Sequence, residues 1–263
     1  MSFITVNNLW KEYGDQVILE NLNLNLSVKQ GEFCTLVGAS GCGKSTFLKM
    51  LLGQETQTRG ELLLEGEAFP GEPDRNRGIV FQRYSVFPHL TVRQNVLMGL
   101  ELEQKPWLGK LFGNARREAL EKVDAMLESV GLSPSANKWP HELSGGMQQR
   151  LAIAQSLIMR PRVLLLDEPF GALDPGIRGD MHDLLLKLWQ ETGTTIFMVT
   201  HDLKEGFYLG TRLLVFDKVR NDPHDPQAFG ATITYDLPIG QTDRKLFEDI
   251  HQSVSETARN QAA

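Results

Sequence analysis

The segment that most constrains the fold is "TLVGASGCGKST", residues 35–46. An apolar run leads into Gly38, and the helical run "FLKMLLG" follows, which is the strand-to-helix setting that a P-loop requires. Glycines allow backbone N–H groups to approach phosphate oxygens, and the helix N-terminus adds partial positive charge. A Gly-rich turn with a chance lysine explains this spacing less well. The sequence therefore predicts a nucleotide phosphate cradle formed by Gly38, Ala39, Ser40, Gly41, Cys42, Gly43, Lys44, Ser45 and Thr46.

Charged and hydroxyl groups in two segments extend this prediction to ATP and Mg²⁺. Lys44 would neutralise the β- and γ-phosphates, and the Ser45 hydroxyl would ligate Mg²⁺. "VLLLDEP" places Asp167 and Glu168 at the carboxyl end of a buried strand, where open parallel sheets bind ligands. We expect Asp167 to hold Mg²⁺ and Glu168 to orient the attacking water. Taken alone, the two acids could be an ordinary strand-end charge cluster.

Short apolar runs alternate with helical segments, which predicts an α/β fold. "RVLLLD" and "TTIFMVT" are apolar almost throughout, as in strands of a mainly parallel sheet, whereas "ILENLNLNLSV" alternates like a half-exposed antiparallel strand. "ARREALEKVDAMLESVGL" has helical periodicity, and no convincing strand occurs between about 83 and 160. We predict a P-loop core with an N-terminal antiparallel β-subdomain and an inserted helical subdomain.

The predicted organisation is a single domain over 1–263. The core comprises 1–82 and 161–240, the helical subdomain comprises about 83–160, and 241–263 forms a C-terminal helix and frayed tail. "ATITYDL" is a candidate strand after a Pro- and Asp-rich loop, and a short helix is expected to begin near Asp243.

Composition excludes several classes of protein. The 263 residues are 41% hydrophobic and 23% charged, and no apolar stretch approaches the roughly 20 residues of a membrane-spanning helix. Cys34 and Cys42 show no disulfide or zinc spacing. A formal charge of -6 argues against binding nucleic acid. The start "MSFITVNNLW" has no secretory signal pattern, so we expect a cytosolic chain.

The stretch "LSGGMQQR", residues 143–150, precedes "VLLLDEP" by the length of a short helix. With this stretch and the P-loop, the sequence resembles the ATP-binding cassette ATPases of ABC transporters over nearly its whole length. The resemblance implies that "LSGGM" is the signature motif, which binds the γ-phosphate of a nucleotide held by a second copy. Ser144, Gly145 and Gly146 would supply the donors, with Gln148 in the helix that follows. Ser144 would also cap that helix.

The resemblance assigns further residues. Gln82 in "GIVFQ" matches the Q-loop glutamine, which contacts Mg²⁺ and the attacking water. His201 in "MVTHD" matches the switch histidine at the γ-phosphate, and Asp174 in "GALDP" matches the D-loop aspartate at the dimer interface. Tyr13 in "KEYG" matches the aromatic residue that stacks on adenine. Singly, Gln82 and His201 could be ordinary loop residues and Tyr13 a turn tyrosine packed on the sheet.

The resemblance also implies partners and a location. We expect a homodimer bound to membrane permease subunits at the cytoplasmic face of the plasma membrane, served by an extracytoplasmic solute-binding protein. The region around "PFGALDPGIRGD" and the short tail are similar to importers of nitrate, sulfonate and taurine, whereas "YSVFPHLTVRQNV" is closer to importers of sugars, polyamines or iron. Alternatives are a soluble ABC ATPase acting on DNA ends or ribosomes, a P-loop kinase, and a module that never hydrolyses.

Three surface hypotheses complete the predictions. Tyr84, Val86 and Phe87 are expected to line a groove for a coupling helix of the permease, or else to pack the helical lobe. "QKPWLGKLFGNAR" is expected either to contact the permease or the bilayer or to pack within the helical lobe. The apolar residues that would make the contact are Trp107, Leu108, Leu111 and Phe112. A thiol at Cys42 could make the activity sensitive to alkylation.

Overall fold

The computed structural model describes residues 3–24, 28–82, 85–104, 109–220, 222–225 and 227–239. Their strands are β1 (Ile4–Tyr13), β2 (Gln16–Leu22), β3 (Phe33–Gly38), β4 (Arg59–Leu64), β5 (Glu67–Ala68), β6 (Arg77–Val80), β7 (Val163–Asp167), β8 (Thr195–Val199), β9 (Arg212–Asp217) and β10 (Thr232–Pro238). Their α-helices are α1 (Lys44–Leu52), α2 (Val92–Gln104), α3 (Gly113–Ser129), α4 (Gly145–Leu157), α5 (Pro175–Thr192) and α6 (Leu203–Leu209). The chain divides into two compact units, Met1–Asp74 with Thr195–Ala263, and Arg75–Thr194.

The first unit contains an antiparallel sheet with strand order β2-β1-β4-β5. β1 pairs antiparallel with both β2 and β4. The early residues of β1 alternate between buried and partly exposed positions, as expected of a strand with one face on a core. The antiparallel strand that "ILENLNLNLSV" predicts is therefore found, as β2, which ends at Leu22.

The same unit holds a second set of strands in the order β10-β9-β3-β8. β3 is parallel to both β8 and β9, and every residue of β3 and β8 is buried. Burial on both faces explains why these strands are apolar without alternation. β10 pairs antiparallel with β9 and corresponds to the predicted strand "ATITYDL".

Phe47 fixes α1 against these strands. Its ring lies 6.4 Å from that of Phe197 in β8 and 5.7 Å from that of Phe216 in β9, with the rings inclined to one another. All three side chains are fully buried. Because α1 begins at Lys44, this aromatic packing fixes the position of Lys44 relative to the strands.

The second unit contains the parallel pair β6–β7 and the helices α2 to α5. Described residues between 85 and 160 form helices and turns but no strand, as the helical periodicity predicts. The predicted fold class, α/β with a mainly parallel sheet and an antiparallel N-terminal part, is confirmed. The domain boundaries at 82, 160 and 240 stay predictions, and the helix expected near Asp243 lies outside the described residues. No helix in the described part of the chain is both long and apolar enough to cross a membrane.

Candidate functional site

The P-loop forms the turn between the last residue of β3, Gly38, and the first residue of α1, Lys44. Gly41 and Gly43 both have φ of +81°, a left-handed conformation that side chains with a Cβ rarely adopt. A Cβ on Gly43 would also lie 2.4 Å from Cδ2 of Leu19 in β2. Gly43 is thus required by backbone conformation and by close packing, whereas a Cβ on Gly41 would meet no atom within 4 Å.

The ammonium group of Lys44 is enclosed by its own loop. Nζ donates to the carbonyl oxygens of Gly38 and Ala39, each at 2.8 Å, and lies 3.5 Å from Sγ of Cys42. Lys44 is only 4% exposed. A cation buried in this way needs oxygen partners, and phosphate oxygens are stronger partners than carbonyls. The loop therefore holds a positive charge ready for an anion.

The start of α1 presents further donors. Its N-cap residue is Gly43, which has no side chain to cap the first backbone N–H groups. Ser45 is exposed in the first turn, and Thr46 beside it is half-buried. Ser40 and Gly41 at the tip of the loop are exposed. This arrangement suits phosphate oxygens above the helix end.

Cys42 is a buried residue of the loop. Burial raises the pKa of its thiol, an effect that the charge and hydrogen bonding of Lys44 partly offset. A buried thiol with a raised pKa is a slow nucleophile, so the structure gives no support to alkylation of Cys42 in the folded chain.

His201 lies on the same edge of the first unit's parallel strands as the P-loop. Leu36 of β3 is in register with Val199 of β8, and a candidate site residue lies two positions after each of them, Gly38 at the end of β3 and His201 just after β8. The turn after β8 is held by the buried Thr200 and by Asp202, whose carboxylate caps α6. His201 is exposed on this anchored turn.

Tyr13 ends β1, opposite Gln16 in β2, and β2 packs against the P-loop through Leu19. Tyr13 is 45% exposed. It contacts two charged residues that motif reasoning missed, Lys11 and Glu55. The alternation of β1, which places Lys11 beside Tyr13, is the sequence signal that could have identified the first of them.

In the second unit, Asp167 ends β7 and Glu168 follows it. Glu168 has φ of +48°, a conformation that costs about 1–3 kcal/mol in a residue other than glycine. Nε2 of Gln82, after β6, donates to Oε2 of Glu168 at 3.2 Å. The parallel pairing of β6 and β7 brings the predicted Q-loop glutamine and the predicted catalytic carboxylate together.

The signature residues open α4. Ser144 is the N-cap, and its hydroxyl oxygen accepts from the backbone N–H of Met147 at 3.3 Å. Ser144 and Gly145 are exposed, whereas Gly146 is buried. The amide of Gln148 turns back and donates to the carbonyl oxygen of Pro140 at 2.9 Å. The exposed donors are therefore those of Ser144 and Gly145, and Gln148 braces the segment before them.

Asp174 is the exposed N-cap residue of α5 and makes no side-chain capping bond. A Cβ on Gly146 would lie 2.7 Å from Cγ2 of Ile177, so the beginnings of α4 and α5 pack closely. The predicted D-loop aspartate and the signature motif thus share one region of the second unit.

These residues suit ATP and Mg²⁺ chemically. A buried ammonium, a glycine loop and an uncapped helix start are what a polyphosphate requires. The hydroxyl of Ser45 and the carboxylate of Asp167 are hard oxygen donors of the kind that Mg²⁺ prefers.

Two of the surface hypotheses can be compared with the structure. Phe87 and Asn95 line a cavity of about 230 Å³ in the second unit, and Val86 is half-buried, while Tyr84 lies outside the described residues. Leu111 is 2% exposed and therefore cannot make a surface contact, whereas Phe112 is 70% exposed. Trp107 and Leu108 lie outside the described residues.

Comparison with known proteins places this chain among ABC transporter proteins. It is 44% identical to the nitrate import ATP-binding protein NrtD of Synechocystis over 77% of this chain and 71% of the relative. It is 39% identical to the aliphatic sulfonates import ATP-binding protein SsuB of Bacillus anthracis over 82% of this chain and 80% of the relative.

A solved structure is similar as well. It is a dimer of the ATP-binding cassette MJ0796 in a post-hydrolysis state with ADP and phosphate, 30% identical, with a TM-score of 0.69 over 90% of this chain and 99% of the other. The family model described as ABC transporter matches residues 22–171, more than half of the chain. The chain belongs to the ABC transporter family, as one of its ATP-binding ATPases.

Proposed function

We propose that this chain is the ATP-hydrolysing subunit of an ABC importer that takes up a small solute through separate membrane subunits. The solute is nitrate, a sulfonate, a taurine-like compound or another small organic molecule. Two relatives that are named importers of nitrate and of aliphatic sulfonates support this proposal. Neither is named for an action on nucleic acid or ribosomes, so the alternative function receives no support from them.

The observation that carries the proposal is the contrast in exposure between two anion-binding elements. Lys44 is enclosed by the P-loop, whereas Ser144 and Gly145 face outward at the start of α4. We infer a homodimer in which the signature segment of one copy binds the γ-phosphate of ATP held by the other copy. The similar cassette that was solved as a dimer supports this arrangement.

Residues of the P-loop would bind the triphosphate. Lys44 would exchange its two carbonyl contacts for β- and γ-phosphate oxygens, a gain of charge-assisted hydrogen bonds. The Ser45 hydroxyl and the Asp167 carboxylate would hold Mg²⁺, which neutralises phosphate charge when bound. The start of α1 would direct its backbone N–H groups at the same phosphates.

The hydrolytic step would depend on Glu168. Its carboxylate accepts a hydrogen bond from Gln82, and a water in contact with both would be oriented for attack on the γ-phosphate. His201 would stabilise charge developing on that phosphate, with its position fixed by the anchored turn after β8. Tyr13 would stack on the adenine.

The membrane subunits would dock in the cavity lined by Phe87. Asn95 holds the loop that forms this wall: its Oδ1 accepts from the backbone N–H of Phe87 at 2.8 Å, and its Nδ2 donates to the carbonyl oxygen of Leu90 at 2.8 Å. The cavity also contains Met98 and Leu102. A preformed, largely apolar recess of this kind fits the apolar face of a short helix. Docking there would bring the chain to the cytoplasmic face of the membrane, with a solute-binding protein on the other side.

Reconstitution tests the importer assignment. The chain would be co-purified with its permease subunits and placed in proteoliposomes, with nitrate, taurine and an alkanesulfonate supplied on the side that the solute-binding protein faces. We expect MgATP-dependent uptake of one of these solutes, and we expect Glu168→Gln to abolish it. Phosphate release without uptake of any small solute would contradict the importer assignment.

A further inference from the structure

Three side chains at the end of β1 and after α1 form a compact group, which we call the tyrosine triad: Lys11, Tyr13 and Glu55. Nζ of Lys11 lies 4.6 Å from the centre of the Tyr13 ring and 2.7 Å from Oε2 of Glu55. It also donates to the carbonyl oxygen of Thr56 at 2.9 Å. Lys11 is 7% exposed, so its ammonium is fixed by partners rather than solvated.

The phenol of Tyr13 completes the triad. Burial raises the pKa of Tyr13 to about 12, with further contributions from its hydrogen bond to Glu55 and from the charge of that carboxylate. Hydrogen bonds from Lys11 and Tyr13 lower the pKa of Glu55. Each residue of the triad therefore interacts with the other two. Glu55 contacts both the ammonium of Lys11 and the phenol of Tyr13.

Neighbouring positions of β1 carry a second group of the same kind, the tryptophan triad: Trp10, Glu12 and Arg59. Cζ of Arg59 lies 4.2 Å from the centre of the Trp10 ring, and its guanidinium pairs with Glu12. These residues alternate with Lys11 and Tyr13 along the strand. The tryptophan triad thus supplies a matched control with the same interaction types, a cation over an aromatic ring and paired with a carboxylate.

We propose that the tyrosine triad positions the Tyr13 ring for the base of the nucleotide, with Glu55 as the positioning residue. The ammonium of Lys11 lies over one face of the ring, so a base can stack only on the other face. This inference rests on the proposed function, because it assumes that Tyr13 receives the base. Stacking on the face of a tyrosine ring makes no contact with the edge of the base. The binding of ATP and the binding of GTP should therefore depend on Glu55 to the same extent.

Glu55→Ala tests the proposal in the full-length chain. We expect the KM for MgATP and for MgGTP to rise about five- to tenfold with kcat within about twofold, because the ring loses its fixed orientation while the phosphate-binding groups are unchanged. Glu12→Ala, in the tryptophan triad, is expected to leave both KM values unchanged. Urea unfolding of both variants would establish that each is folded.

A spectroscopic measurement tests the triad without nucleotide. The chain has four tyrosines, and in alkaline titration followed at 295 nm one should ionise near pH 12 in the wild-type chain. In Glu55→Ala that pKa should fall towards the ordinary tyrosine value of about 10. No change in the titration, or equal KM effects from Glu55→Ala and Glu12→Ala, would overturn the proposal.

Failure of the triad and failure of the proposed function are distinguishable. A wild-type chain that releases no phosphate from ATP would contradict the function, and the triad would then be tested by calorimetric binding of ATP to Glu55→Ala and Glu12→Ala. Weaker binding for the first variant only would still support the triad. Full activity with an unchanged KM in Glu55→Ala would contradict the triad and leave the function standing.

Discussion

The P-loop and the signature segment both offer hydrogen-bond donors to phosphate, but they differ in whether those donors are already paired within the chain. The P-loop folds around its own charge, since Lys44 is buried and donates to Gly38 and Ala39. The signature segment leaves Ser144 and Gly145 exposed, and the Ser144 hydroxyl accepts only the short-range capping bond from the backbone N–H of Met147 among its described contacts. The first element is therefore complete within one chain, whereas the second presents donors for an anion that comes from outside.

The difference has an energetic basis. A buried ammonium must be paired within the fold, because an unpaired buried charge is strongly destabilising. Exposed hydroxyl and backbone N–H groups form hydrogen bonds with water, so leaving them without a ligand costs little free energy. Changes in the P-loop should therefore disable the site of the copy that carries them, and changes in the signature segment should disable the site of the other copy.

Lys44→Ala should have the largest effect. Without the ammonium, the P-loop lacks its one enclosed cation, and we expect ATPase activity to fall by about 10²–10³-fold or more. Phosphate release by the purified chain is the measurement. Lys29→Ala, which removes an exposed lysine outside the loop, should change the rate by less than about twofold. Equal rates for Lys44→Ala and the wild type would contradict the role given to this residue.

Ser144→Arg should also abolish most activity, through steric and charge conflict in the partner's site. His141→Arg adds a cation at a neighbouring exposed position and should have little effect. An equimolar mixture of Lys44→Ala and Ser144→Arg chains is the decisive form of the experiment. Half of the dimers would then carry one intact site, so about a quarter of the wild-type activity should return. A mixture as inactive as its components would argue against a site shared between copies.

The glycines of the P-loop give a smaller effect, on stability. Gly41→Ala and Gly43→Ala both place a Cβ at φ of +81°, but only Gly43→Ala brings it to 2.4 Å from Leu19. We expect Gly41→Ala to lower the free energy of unfolding by about 1 kcal/mol and Gly43→Ala by about 2–4 kcal/mol. Urea unfolding midpoints measure the difference, and equal midpoints would show that packing on β2 does not constrain the loop.

Much of this fold can be predicted from the sequence. The apolar runs without alternation identify buried parallel strands such as β3 and β8, and the glycine pattern identifies the P-loop, because these features follow from local backbone requirements. Gln82 beside Glu168 could be expected from the resemblance alone, since their contact depends on the pairing of β6 with β7 across 86 residues.

Other features could not be predicted because they depend on side chains meeting in three dimensions. Nothing in the spacing of Lys11 and Glu55 indicates that they share one phenol. The burial of Leu111 beside the exposed Phe112 likewise depends on how the chain packs at the start of α3. Both residues are apolar, so the sequence alone predicts the same burial for each.

The most direct test of the shared site is the association state of Glu168→Gln. This variant should retain every phosphate donor while hydrolysis is slowed, so ATP should remain bound between copies. Sedimentation velocity with MgATP should show a dimer, and the double variant with Ser144→Arg should remain monomeric. A Glu168→Gln chain that binds ATP yet sediments only as a monomer would contradict the account.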